Sequence, residues 1–141
     1  MTEQVNRKYE FVEGGTIYVK GSILKRIRAI RDFGNIKKGD LGRYIEKEEN
    51  LSHEGNCWVD GDAKAYGDFS VYENALITGS ARVYGGAEVY ENVQVCGDAE
   101  VYGYAKVYGE AEVYGDTKVC VAAIISQNAR LCGDVTVTDS Y

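Results

Sequence analysis

Between Leu51 and Ser140, apolar and polar residues alternate on a six-residue beat that predicts very short strands joined by tight corners. Fifteen consecutive hexads fit it, among them AEVYGY, AKVYGE and AEVYGD, and no insertion or bulge is expected anywhere in the run. The first position of each hexad is small or apolar and mostly Ala; the third is aliphatic or Ala everywhere except His53. Apolar residues two apart with a polar one between them share one buried strand face. The rest of each hexad is typically Tyr-Gly-Asp, Tyr-Glu-Asn or Cys-Gly-Asp, and Gly, Asn and Asp tolerate the backbone angles of a tight corner. Strand and corner repeated fifteen times is a solenoid.

Taken in threes, the hexads form five coils of eighteen residues whose corners sort into columns. One column is Gly at every level (Gly61, Gly79, Gly97, Gly115, Gly133), and another carries Asn56, Asn74, Asn92, Glu110 and Asn128. Three distinguishable corners predict an all-β triangular prism with residues i and i+18 stacked at about 4.8 Å, giving five levels and a height of about 24 Å. Outward charges alternate down the faces, with Glu88 above Lys106, Glu112 above Arg130, and Arg82, Glu100 and Lys118 in succession. Such pairs contribute only ~0.2–1 kcal/mol each and serve mainly to mark the register.

Residues 1–50 lack the period and are expected to form a small N-terminal β cap on the helix of residues 51–141. YEFV, TIYVKG and ILKRIRAI read as strands, with EGG as the hairpin turn between the first two. An uncovered coil exposes unpaired backbone groups, so a cap is physically required. Trp58 above Leu76 makes an apolar strip on an outer face and, with His53 in an inward position, marks the covered end. Lys25, Arg26, Arg28 and Arg31 fall within seven residues and form a candidate anion-binding strip, or the charged outer face of the cap.

Charge is divided unevenly. Residues 1–50 hold 11 Lys/Arg against 8 Asp/Glu and residues 51–141 hold 5 against 14, so net +3 meets net −9 in a chain of −6. An acidic prism repels phosphate, which argues against direct nucleic-acid binding through its faces. The chain has no proline and no apolar run long enough for a bilayer, and MTEQVNRKYE lacks the apolar core of a signal peptide; a cytoplasmic protein with no membrane contact is expected. The four cysteines suit a reducing compartment: Cys96 and Cys132 share a column but lie two levels apart, beyond disulfide reach.

The hexads, VYGDA and VYGEA among them, resemble the left-handed parallel β-helix family of hexapeptide-repeat proteins, with Tyr in a slot where that family favours small or acidic residues. The left-handed sense is implied by this resemblance alone. The segment RAIRDFGNIKKGDLGRYIEKEENLSHEGNCWV, residues 28–59, is similar to the junction of uncharacterised YdcK-like hexapeptide-repeat proteins of bacteria and their phages, which implies a bacterial or phage cytosolic source and no established reaction. Many left-handed β-helix proteins are coenzyme A-dependent acyltransferases with a histidine general base, and His53 is the one candidate here. Its inward phase and the absence of any bulge favour a buried, satisfied ring. A single His excludes the three-His zinc site of the carbonic anhydrases on this fold. The column Asp98, Asp116 and Asp134 is a candidate cation site, although acidic corner residues more often bond their own amides. No cofactor is implied.

The tyrosines form two ladders, Tyr72, Tyr90 and Tyr108 on one edge and Tyr66, Tyr84 and Tyr102 on another, with Tyr104 nearby. They are candidate protein-binding residues as well as corner covers, since Tyr offers large contact area at low entropy cost. At the last coils Ile124 stands at an outward position, and Val121, Val135 and Val137 lie along an uncovered edge; these four are candidate self-association contacts, in a dimer or trimer. The leading expectation is a non-catalytic, oligomeric binding or scaffold protein, in its sharpest form a phage-encoded rigid acidic prism that inhibits a host defence protein. The alternatives are an acyltransferase using His53 and a sponge for a small anionic ligand held by basic residues of the first fifty.

Overall fold

The structure is a computed structural model that describes residues 7–19 and 21–139. Among these residues it is all-β, with no α-helix and one short 3₁₀ turn at Glu48–Asn50. Residues from Trp58 onward build a parallel β-solenoid of about five turns. One face stacks Lys64–Gly67, Arg82–Gly85, Glu100–Val101, Lys118–Val119 and Thr136–Val137; a second runs from Trp58–Val59 to Arg130–Leu131; a third runs from Ser70–Val71 to Ile124–Ile125. The register is i to i+18 throughout, as in Val83↔Val101, Val95↔Val113 and Val89↔Val107.

Each coil buries Ala-type and Val-type residues at its centre: Ala81, Val83, Ala87, Val89, Val93 and Val95 are wholly inaccessible. The corners turn through left-handed backbone. In the all-Gly column a Cβ on Gly97 would lie 2.8 Å from the Gly115 nitrogen of the next coil, so this corner admits only glycine at that spacing. Elsewhere non-glycine residues accept the strain, Val121 among them at φ 62°.

The first described residues extend one face of the prism. Strand β1 (Tyr9–Val19) pairs antiparallel with β2 (Ser22–Ala29), which pairs antiparallel with β3 (Leu41–Ile45), and β3 joins the solenoid through the parallel pair Tyr44↔Lys64. The EGG segment is not the expected hairpin turn. Phe11 opposes Ile27 while Thr16 opposes Lys25, so Val12–Gly15 bulge within a single long strand and the chain reverses between Val19 and Ser22. Gly14, at φ 80°, supplies the bulge. Strand β3 carries no periodic signal in the sequence; it is defined by its neighbours on both sides.

The first hexad also departs from expectation. Leu51 bridges Val71, twenty residues on, whereas Trp58 pairs with Leu76, eighteen residues on. Residues 52–56 therefore hold two extra residues and bulge, and Leu51 takes the inward place expected for His53. The regular stack begins at Cys57.

Polar side chains close the backbone edge that this first coil leaves open. Asn50, fully buried, donates to the carbonyls of Gly67 at 3.2 Å and Phe69 at 2.8 Å and accepts from the Glu46 and Lys47 amides. Glu46 accepts from the Gly67 amide at 2.7 Å. Lys8, also fully buried, donates its ammonium to the carbonyls of Cys57 at 2.8 Å and Gly55 at 3.2 Å. These are the groups that a further coil would otherwise pair.

Candidate functional site

The bulge carries His53 outward into a network between β1, the 3₁₀ turn and the solenoid. Its Nδ1 accepts the backbone N–H of Lys8 at 3.2 Å, and its Nε2 lies 2.6 Å from a Glu48 carboxylate oxygen, which also pairs with Arg7 at 2.6 Å. The ring stacks on Tyr9, centroids 4.1 Å apart. An Nδ1 that accepts an amide must be unprotonated, so the proton sits on Nε2 and points at Glu48. Burial lowers the His53 pKa below its usual value despite Glu48, which favours the neutral ring. Burial pushes the Glu48 carboxyl up, but His53 and Arg7 outweigh it and hold the group ionised below the ordinary range. Neither ring nitrogen is left to take a substrate proton. The expectation of an inward His53 is corrected by the two-residue slip; the ring is nonetheless satisfied, by Lys8 and Glu48.

A recess of about 410 Å³ lies on the face that carries Trp58 and Leu76. A hairpin-like loop, closed by the Phe33↔Ile36 bridge, overhangs it, and Gly34 at φ 51° lets the loop rest on Asn56. Phe33 meets the buried Trp58 edge to face at 5.1 Å. The Asn column forms one wall: Asn74 donates to Asn92 at 3.2 Å and accepts from the Asn56 amide at 3.1 Å. The Trp58 indole N–H is buried in this wall without a hydrogen-bond partner, an unfulfilled donor that costs ~1–3 kcal/mol. Trp58 and Leu76 thus face residues 33–36, while the Trp58 donor and the Asn column were not singled out together by sequence reasoning.

The two tyrosine ladders stand half-buried as regular stacks. Tyr66, Tyr84 and Tyr102 are 4.9 and 4.8 Å apart, and Tyr72, Tyr90 and Tyr108 are 4.7 and 5.1 Å apart, all nearly coplanar. Burial and the Glu88 carboxylate push the Tyr72 hydroxyl up to about 12. Tyr104 projects, 78 % exposed. The second ladder and the recess flank one corner, through Tyr72, Glu73 and Asn74.

The remaining candidates are dispersed. Lys25 lies over the Phe11 ring, Arg26 donates to the Gly42 carbonyl, Arg28 pairs with Glu10, and Arg31 donates to the His53 carbonyl, so the basic strip does not converge on one point. Asp98, Asp116 and Asp134 are exposed at successive levels, and among the described residues no three His, Cys, Asp or Glu side chains gather as a metal site. Ile124, Val121 and Val135 are exposed. Val137 is buried as the last interior residue of the stack, not a surface contact. Among the described residues no helix is long and apolar enough to cross a membrane.

The eighteen-residue register and six-residue period are those of a hexapeptide-repeat parallel β-solenoid. No family model matches the chain. A stretch of 62 residues, 43 % of the chain, is 40 % identical to a protein of Escherichia coli (strain K12) named "Uncharacterized acetyltransferase YdcK". That stretch covers only 18 % of the relative's length.

Proposed function

We propose that this chain is a non-catalytic binding module, oligomeric in solution, that presents the recess beside Trp58 and the adjoining Tyr72–Tyr90–Tyr108 ladder to a protein partner. The observation that carries the reading is the engagement of both nitrogens of the only histidine, by the Lys8 amide and the Glu48 carboxylate. A general base needs a free lone pair within reach of the proton it takes. The Tyr72–Tyr90–Tyr108 ladder supports the binding half, because rigid aromatic rows beside a recess suit protein contact. Nothing in the likeness to YdcK bears on a phage origin or a defence target, and neither enters the proposal.

The second reading, acyl transfer, is favoured by the name of that relative. Purified chain is titrated with acetyl-coenzyme A and assayed for thiol release in the presence of amine and hydroxyl acceptors, with and without the His53→Ala change. The binding reading expects no turnover in either protein; acetyl transfer lost in the variant would overturn it. Light scattering tests self-association, and a monomer at high concentration would remove the oligomeric part.

A further inference from the structure

The alternation of charge down the prism breaks at one place. On the face extended by β3, Arg82 lies directly below Lys64 in register, and Tyr44, the neighbour of Arg43, lies directly above it. Like charges on facing strand positions destabilise a sheet. Arg43, Lys64 and Arg82 nevertheless line a single recess of about 350 Å³ with Ser80 and Asp62. The counter-charge is thin. Asp62 is 3.8 Å from the Arg43 guanidinium and highly exposed, and among the described residues neither the Lys64 nor the Arg82 side chain has a hydrogen-bond or ion-pair partner. Glu100 follows Arg82 in the column but does not line the recess, and its carboxylate accepts the Tyr84 hydroxyl at 2.9 Å. The Arg43 Nε–H is buried and also lacks an acceptor.

We propose that this recess binds the phosphate group of a small phosphorylated molecule. Three cations against one carboxylate leave two positive charges uncompensated, which is the charge of a phosphate monoester dianion. Two guanidinium groups offer planar paired donors, Lys64 a point charge and Ser80 a hydroxyl, and together they match a tetrahedral oxyanion. The site is distinct from the basic strip of β2, whose arginines are spent on Glu10 and on backbone carbonyls. It also lies on a different face from the Trp58 recess, so it does not depend on the proposed function.

Calorimetric titration at constant ionic strength uses inorganic phosphate, adenosine 5′-monophosphate and adenosine as probes. Saturable binding of phosphate or the monophosphate, with none of adenosine, supports the proposal. A tighter monophosphate assigns the ligand to phosphate esters, and equal affinities assign it to free phosphate. Arg82→Gln and Lys64→Gln should each weaken binding by about tenfold or more, from the loss of a charge-assisted hydrogen bond. Lys106→Gln, on another face, should leave it unchanged. Without phosphate, Arg82→Gln should be as stable as the parent or slightly more so, because a like-charge contact is relieved, and phosphate should raise the melting temperature of the parent by more than that of Arg82→Gln. Absence of saturable binding by both phosphates, or equal binding by the Arg82 and Lys106 variants, would overturn the proposal.

Discussion

Replacing Asn50 by Ala removes the side chain that stands in for a missing coil. Its amide donates to Gly67 and Phe69 and its oxygen accepts from Glu46 and Lys47, with distances of 2.8 to 3.2 Å. Four hydrogen bonds at a net ~1 kcal/mol each set an upper figure of about 4 kcal/mol. Water entering the vacated space would rescue the more accessible groups and set a lower figure of about 2 kcal/mol. The assay is urea unfolding followed by fluorescence of the buried Trp58, with the midpoint shift converted at constant slope. Asn50→Asp sharpens the test: the carboxylate still accepts from the two amides but turns an acceptor toward the Gly67 and Phe69 carbonyls. It should be no more stable than the Ala variant at neutral pH. A loss below about 0.5 kcal/mol for Asn50→Ala, within the range of ordinary surface changes, would refute the idea that this side chain closes the edge.

Two further predictions concern charge and strain. Burial lowers the Lys8 pKa below 10.5, so the unfolded chain holds more protons through the window below 10.5 and stability gained from this group rises with pH there. The stability difference between parent and Lys8→Met should therefore shift in the parent's favour as pH climbs through that window; urea midpoints that move in parallel for both proteins would refute this. Val121 is β-branched at φ 62° and 59 % exposed, so Val121→Gly should stabilise by about 1 kcal/mol through relief of left-handed backbone strain. A lower urea midpoint for that variant would refute the strain argument.

The period of the prism was readable because stacked residues are eighteen apart along the chain, and the Gly and Asn columns repeat that spacing literally. The slip at Ser52–Asn56 was not, since its two extra residues still fit a six-residue count; His53 in an apolar slot was the visible trace of it. Lys8 and Asn50 act on backbone carbonyls, which leave no sequence pattern, and neither belongs to the repeat. Arg43, Lys64 and Arg82 are far apart in sequence and meet only through register. Density along the chain pointed instead to Lys25, Arg26, Arg28 and Arg31, which go to separate partners.

The central claim, that the only histidine is a structural linker and not a base, is tested most directly by the ring ¹⁵N spectrum of His53 at neutral pH. The network predicts a neutral ring protonated on Nε2, with Nδ1 hydrogen-bonded and unprotonated. A ring protonated on Nδ1 with a free Nε2, titrating at or above the ordinary value, would contradict it.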